Sequence, residues 1–176
     1  FMNIMMTTPL FRYRDPSAED LRYSMYTTLA YGGKGLAWFT YVTPDAENFR
    51  AGPLTIHEKK TQKWYLVRDL NLELQALGPW LMGLTSTGVY HAGAAVPGTQ
   101  ALSGEGVVIS AEGGDLVVGE YRDDEGLPWV MVVNKDYQHS CFVTLKLKTY
   151  YKTLSEVARS TGELRAIARD QGGEAG

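Results

Sequence analysis

An almost uninterrupted apolar run, closed by Pro44, reads Gly35-Leu36-Ala37-Trp38-Phe39-Thr40-Tyr41-Val42. A run of this length without polar alternation is typical of a strand buried on both faces of a parallel sheet. A similar run upstream, Phe1 to Thr8, ends at Pro9. The two runs predict two buried strands, and the segment between them determines how they are connected.

The connecting segment carries the signals of a helix. Pro16 precedes Ser17-x-x-Asp20, which is a capping pattern. Leu21, Met25 and Leu29 then follow at a spacing of four and share one helical face. Gly32 and Gly33 end the helix, because glycine is the usual residue after a helical C-terminus. Strand, helix and strand together predict one βα repeat of a parallel sheet.

Downstream of the second strand, a long amphipathic segment extends from about residue 61 to residue 84. Its apolar positions recur at spacings of three and four, which predicts a helix whose inner face packs on the sheet. These positions are Trp64, Val67, Leu70, Leu74, Leu77 and Leu81. Gly78-Pro79 falls inside the pattern and predicts a kink or a restart of the helix.

The second half of the chain has a different character. Residues 86–106 are rich in Gly, Ala, Thr and Ser, and they are interpreted as a domain connection with one weak strand. Short strands are predicted from there to the end, with a last hairpin around Ser160-Thr161-Gly162. The predicted strands cover residues 107–110, 115–121, 129–134, 141–148, 154–158 and 164–168. Their spacing suggests an antiparallel β-sandwich, and the small polar tail 170–176 is expected to be frayed. The predicted domains are therefore 1–85 and 86–176.

Composition excludes several classes of protein. The formal net charge of the 176 residues is -3 and no basic face is evident, so no nucleic-acid partner is expected. Cys141 is the single cysteine, so no disulfide can form within the chain, and no His/Cys cluster has the spacing of a metal site. No cofactor and no membrane partner are expected. No signal peptide is recognised and the localisation is unknown, which is compatible with a secreted or periplasmic parent protein.

The most specific text in the chain comprises Arg14-Asp15-Pro16, Leu21-Arg22-Tyr23 and the turn Leu29-Ala30-Tyr31-Gly32-Gly33-Lys34 that leads into Gly35 to Tyr41. This text resembles the end of the (βα)8 barrel in β-galactosidase-like glycoside hydrolases of family 42 and their clan A relatives. In those proteins a turn with an LAYGAKG-type sequence leads directly into the last barrel strand, and the central residues of that strand have a YFTY-type sequence. The segments around Asn71-Leu72-Glu73-Leu74 and Gly119-Glu120-Tyr121 resemble the last barrel helix and the following β-sandwich.

The resemblance implies a fold class and a function. The expected fold is two terminal βα units of a (βα)8 barrel followed by a small antiparallel β-sandwich. The expected function is that of a C-terminal fragment of a glycoside hydrolase-like, carbohydrate-active protein. Two alternatives remain open: a non-catalytic carbohydrate-binding module, and a structural or oligomerisation module. The expected partners are carbohydrate and either the missing barrel portion or further copies of this chain.

The residues at the ends of the predicted strands leave open whether this chain takes part in catalysis. In the resembled hydrolases the nucleophilic glutamate follows the seventh strand, whereas Met6-Thr7-Thr8-Pro9 here contains no carboxylate. Glycoside hydrolysis requires two facing carboxyl groups. No such pair can be identified in this chain, so the catalytic residues stay unknown and the chain is not expected to be catalytic alone.

Four residues are predicted to contact substrate. Trp38 and Tyr41 lie toward the carboxyl end of the second strand, where active sites of barrels form. An aromatic ring at that end can stack on a sugar ring, and packing in the core is the alternative. Arg12 and Arg14 follow the first strand and can bind hydroxyls or carboxylates, and holding the loop is the alternative for both.

Overall fold

The structure is a computed structural model that describes residues 1–148 and 153–167. In chain order its elements are β1 (Met2–Met6), α1 (Ala18–Ala30), β2 (Gly35–Phe39), α2 (Gln62–Met82), β3 (Thr85–Ala92), β4 (Val108–Glu112), β5 (Leu116–Arg122), β6 (Pro128–Asn134), β7 (Thr144–Leu147), β8 (Ser155–Val157) and β9 (Leu164–Ala166). The strands are short, and most of them pair antiparallel.

The N-terminal part forms a parallel pair of strands connected by α1. Strand β1 pairs with β2 from Met2 opposite Gly35 to Met6 opposite Phe39. Helix α1 begins with a complete capping box: Ser17 Oγ accepts from the backbone N–H of Asp20 at 3.2 Å, and the Asp20 carboxylate accepts from the Ser17 N–H at 2.8 Å. The cap satisfies N–H groups that have no partner within the helix, and it therefore determines where α1 starts.

Both helices pack on the same side of this parallel pair. The core between them is formed by Met5, Leu21, Met25, Leu29, Val67 and Leu70. Helix α2 runs without interruption from Gln62 to Met82 although Pro79 lies inside it. A kink or a restart was predicted at Gly78-Pro79, and the restart does not occur, because packing on α1 and the sheet favours a continuous helix.

The segment interpreted as a connection contains a full strand. Strand β3 follows α2 closely and pairs antiparallel with β5, from Thr85 opposite Arg122 to Ala92 opposite Leu116. Strand β5 pairs in turn with β6, so the order in this sheet is β3-β5-β6. Gly88 and Ala92 have low strand propensity, and cross-strand pairing with the apolar β5 outweighs it.

The three-stranded sheet is covered on two sides. Toward the N-terminal part, Val117 and Val133 pack with Ala30 at the end of α1. The opposite face packs through Leu116 and Val118 on the antiparallel pair β4-β7. The Tyr121 hydroxyl also donates a hydrogen bond to the Leu29 carbonyl oxygen, so α1 is attached to β5 by polar and apolar contacts.

The predicted fold class is wrong. The described strands divide into four separate sheets of two, three, two and two strands, instead of two βα units of a (βα)8 barrel followed by a β-sandwich. Among the strands of the described residues, β1 and β2 form the one parallel pair, and the helices in this part of the chain are α1 and α2. The physical reason is that hydrophobic periodicity identifies strands and helices but does not specify which strands pair or how many join one sheet.

The predicted last hairpin is formed by β8 and β9, and it lies against α2. The Trp80 indole N–H donates to the carbonyl oxygen of Gly162 at 2.8 Å, which attaches the hairpin turn to the helix. Ala168 and the tail 170–176, which was expected to be frayed, lie outside the described residues. Neither α1 nor α2 is long and apolar enough to cross a membrane.

A polar network joins the two helices and should make stability depend on pH. Glu73 on α2 accepts hydrogen bonds from Arg22 at 2.8 Å and from the Tyr26 hydroxyl at 2.6 Å, both on α1. Partial burial pushes the pKa of Glu73 upward, but the bonds from Arg22 and Tyr26 outweigh burial and leave this pKa below its usual value.

We therefore expect Glu73 to stabilise the fold above the pKa of an unfolded glutamate, about 4.3, and to lose this contribution as the pH falls through the lower folded pKa. In denaturant titrations between about pH 3 and pH 6, the wild type should lose stability more steeply than Glu73→Gln. Glu156→Gln, on the exposed hairpin strand, is the matched control and should follow the wild type. Parallel curves for wild type and Glu73→Gln would contradict the assignment.

Candidate functional site

Five side chains form an exposed group of aromatic rings and cations, which we call the aromatic cluster. Tyr41 lies in the loop after β2, Lys60 immediately precedes the N-cap of α2, and the other three lie in the first two turns of α2. These three are Trp64, Tyr65 and Arg68.

The loop between β2 and α2 folds back on itself and brings Tyr41 to the start of the helix. Leu54 donates its backbone N–H to the Tyr41 carbonyl oxygen at 2.9 Å, and the Thr43 N–H donates to the Leu54 carbonyl oxygen at 2.9 Å. The Thr61 hydroxyl donates to the Gly52 carbonyl oxygen at 2.8 Å. These bonds hold the N-terminus of α2 beside the segment that follows β2.

The aromatic rings contact one another through defined polar and edge contacts. The Trp64 indole N–H donates to the Tyr41 hydroxyl at 2.8 Å. The rings of Trp64 and Tyr65 lie 5.1 Å apart at 83°, which is an edge-to-face arrangement. Tyr41 is 51% exposed and Tyr65 is 42% exposed, so both rings remain accessible while Trp64 holds Tyr41 in position.

Two cations lie over the rings. The Lys60 ammonium is 3.6 Å from the centre of the Trp64 ring, and the Arg68 guanidinium carbon is 5.3 Å from the centre of the Tyr65 ring. Such cation–π contacts contribute about 0.5–1 kcal/mol at exposed sites. Asp69 forms an ion pair with Arg68 at 2.6 Å. The cations therefore have defined positions beside the rings instead of extending freely into solvent.

A second concave region, which we call the edge groove, lies between β1 and α1. Its volume is about 420 Å³. Its lining includes Ile4 and Met6 from β1, Tyr13 and Arg14 from the following loop, and Asp20 and Tyr23 from α1. The groove follows the edge of β1 that does not pair with β2, and it is apolar on the strand side and polar on the helix side.

Arg14 in the edge groove is held by its neighbours. Both of its terminal nitrogens bond to the Asp20 carboxylate, and its guanidinium carbon lies 5.7 Å from the centre of the Tyr137 ring. The hydrogen bond from Arg14 lowers the pKa of Asp20, and the bond from the Ser17 N–H contributes in the same direction. The same pairing raises the pKa of Arg14. Asp20 therefore stays ionised while it caps the helix and anchors the arginine.

The four predicted substrate-contacting residues are not brought together. Tyr41 lies in the aromatic cluster and Arg14 lines the edge groove, whereas Arg12 is exposed in the loop after β1 and belongs to neither place. Trp38 packs against the core between the sheet and the helices, and its indole N–H donates to the Asn71 side chain at 2.8 Å. Its position in the structure matches the packing alternative.

Sequence reasoning missed the role of Trp64. Its spacing with Val67 and Leu70 assigned it to the buried face of α2, yet its indole bonds to the exposed Tyr41. The available signal was the short run Lys60-Thr61-Gln62-Lys63-Trp64-Tyr65, which combines adjacent aromatic residues with basic ones at the start of a helix. Adjacent positions on a helix point in different directions, so Trp64 and Tyr65 cannot both face the core.

Known proteins give no further guidance to the site. No family model, no curated protein and no solved structure matches this chain. Across the described ranges, 1–148 and 153–167, no group of three or more His, Cys, Asp or Glu side chains could hold a metal ion. The arguments about function therefore rest on the geometry of the aromatic cluster and the edge groove.

Proposed function

We propose that this chain is a non-catalytic, carbohydrate-binding part of a carbohydrate-active protein, and that it binds sugar at the aromatic cluster. The observation that supports the proposal is the exposure of the Tyr41 and Tyr65 rings beside positioned hydrogen-bond donors. The C–H faces of a sugar ring are apolar and its rim is polar, so it needs an aromatic surface flanked by donors and acceptors.

The aromatic cluster supplies both kinds of contact. Lys60 lies over one face of Trp64 and Arg68 lies over one face of Tyr65, so the exposed ring of Tyr41 and the remaining exposed surface of Tyr65 are available for stacking. The Tyr41 hydroxyl accepts from Trp64 and keeps its own O–H free to donate. Lys60 and Arg68 carry further N–H groups that can bond to ring hydroxyls.

The charges around the aromatic cluster favour binding over hydrolysis. Glycoside hydrolysis requires two carboxyl groups on opposite sides of the scissile bond. Among the ion pairs and hydrogen bonds of the described residues, Asp69 is the one carboxylate that bonds to these five side chains, and its partner is Arg68. The aromatic cluster therefore resembles a binding surface, and the resemblance to glycoside hydrolases supplies the sugar as the class of ligand.

The proposal is tested by calorimetric or fluorescence titration of the protein with lactose, cellotetraose and xylotetraose. We expect at least one of these sugars to bind, and we expect Tyr41→Ala and Tyr65→Ala each to weaken its affinity by about tenfold or more. Tyr65→Phe retains the stacking surface and should retain most of the affinity.

The matched control is Phe142→Ala, because Phe142 is an exposed aromatic residue on the segment before β7, outside the aromatic cluster. This variant should bind sugar as the wild type does. The proposal fails if none of the three sugars binds at millimolar concentration, or if the double variant Tyr41→Ala/Tyr65→Ala binds unchanged. Circular dichroism of each variant separates loss of a contact from loss of the fold.

A further inference from the structure

Strand β1 has one paired edge and one unpaired edge. The Thr7 N–H donates to the Phe39 carbonyl oxygen at 2.7 Å, and the Lys34 N–H donates to the Phe1 carbonyl oxygen at 2.9 Å. Backbone groups alternate in direction along a strand. Met2, Ile4 and Met6 therefore turn their N–H and C=O groups to the other edge, where the structure places no strand among the described residues.

The same three residues also expose their side chains. Met5 points to the helices and is buried, whereas Met2, Ile4 and Met6 point to the opposite face, and Ile4 is 62% exposed. Phe39, which pairs with Met6, is exposed as well. An edge with unpaired peptide groups and apolar side chains is a template for pairing with another strand.

Three of the usual protections of an edge strand, namely a charge, a proline and a bulge, are missing from β1. Edge strands are commonly protected by Lys, by Pro, by a bulge or by a covering segment. The sequence of β1 is Met-Asn-Ile-Met-Met, with no charge and no proline, and its pairing with β2 is regular. The edge groove beside it leaves about 420 Å³ of open space along the strand.

We propose that two copies of this chain pair through the free edges of β1 around a twofold axis that passes through Ile4. The three outward-facing residues are symmetric about Ile4, so the edge is complementary to itself. Ile4 would lie opposite Ile4 of the partner subunit, and Met2 opposite Met6 of the partner subunit. The two parallel pairs become one four-stranded sheet, whose central contact is antiparallel.

The symmetry satisfies the free backbone groups of both subunits. Each pair of opposed residues exchanges two hydrogen bonds, so the three pairs make about six. The apolar side chains of both strands then lie side by side on one face of the sheet, where cross-strand pairs stabilise each other. An interface that uses the same surface of both subunits closes as a dimer. No charged side chain of β1 lies at the axis, so no like charges oppose the contact.

The closing experiment measures mass in solution and replaces Ile4 by proline. In light scattering and sedimentation, the wild type should have a mass of about 39 kDa, twice the 19.5 kDa of one chain, and should dissociate on dilution. Ile4→Pro removes the N–H that faces the free edge and leaves the bonds to β2 intact, because proline is tolerated on the free side of an edge strand. The variant should be monomeric with an unchanged circular dichroism spectrum.

A second variant keeps the inference testable if proline disturbs β1. Ile4→Lys retains the N–H and places two like charges at the axis, and it should also shift the mass to that of a monomer. Ile56→Lys, at an exposed isoleucine in the loop before α2, is the matched control and should remain dimeric. A monomeric wild type at millimolar concentration would overturn the inference, and so would a dimer that persists in Ile4→Lys. Sugar binding at the aromatic cluster is unaffected by either result, so the two proposals can fail separately.

Discussion

Gly119→Ala is expected to destabilise the protein by about 3 kcal/mol, because overpacking against fixed backbone typically costs 1–3 kcal/mol and occasionally more. A Cβ atom at Gly119 would lie 2.3 Å from the Ala30 carbonyl oxygen and 2.8 Å from the Tyr121 hydroxyl. Neither neighbour can move freely, since the Tyr121 hydroxyl is bonded to the Leu29 carbonyl oxygen. The methyl group would push α1 away from β5.

The matched control for this substitution is Gly78→Ala, because no atom beyond its chain neighbours and the adjacent backbone of α2 lies within 4 Å of the position that its Cβ would take. Gly78 is inside α2, where alanine is favoured over glycine by about 1 kcal/mol. Denaturant titrations should therefore show opposite signs for the two glycine substitutions. A Gly119→Ala variant as stable as the wild type would mean that α1 does not pack on β5 as described.

Met25→Ala is expected to destabilise the protein by about 2–5 kcal/mol, which is the range for truncating a buried methionine. Met25 is fully buried between α1, α2 and the parallel strands. Its removal leaves a cavity in the cluster formed with Leu21, Leu29 and Val67. The effect should appear as a lower denaturant midpoint with an unchanged slope.

Met82→Ala is the control for the methionine substitution, because Met82 ends α2 with an exposed side chain. It should change the free energy of unfolding by no more than about 0.5 kcal/mol. Equal losses in both variants would show that methionine content, and not burial at Met25, determines the effect.

Local sequence signals predicted the elements of the N-terminal part. The capping box at Ser17 and Asp20 places the start of α1, and the spacing of Leu21, Met25 and Leu29 identifies its buried face. These signals are reliable because each arises from contacts within a few residues of sequence. The same reasoning located α2 within one or two residues of its bounds.

The arrangement of strands could not be predicted in the same way. The pairing of β3 with β5 and of β4 with β7 joins segments separated by long stretches of chain. No local pattern specifies such partners, and residues 86–106 were interpreted as a connection with one weak strand because their composition favours turns. The prediction of a barrel fragment with a β-sandwich assumed partners that the strands do not have.

The candidate site illustrates the same limit at the level of side chains. Tyr41 was predicted to contact substrate because it lies toward the carboxyl end of the predicted second strand, with packing in the core as the alternative. The loop that brings it to Trp64 depends on hydrogen bonds within residues 41–61. Trp38 precedes Tyr41, lies on β2 and points to the helices. Tyr41 lies beyond the end of β2, so the alternation of side chains along the strand does not determine its direction. Only the position of α2 shows which side is open.

The contact between the end of α1 and the three-stranded sheet has a consequence for synthesis of the chain. Ala30 is covered by Val117 and Val133, which the ribosome adds about 100 residues later. At a synthesis rate of 5–20 residues per second, about 5–20 s pass between the synthesis of Ala30 and that of the two valines that bury it. During that interval the apolar surface at the end of α1 is exposed on the nascent chain. A chaperone that binds apolar surfaces can therefore bind it before the three-stranded sheet forms.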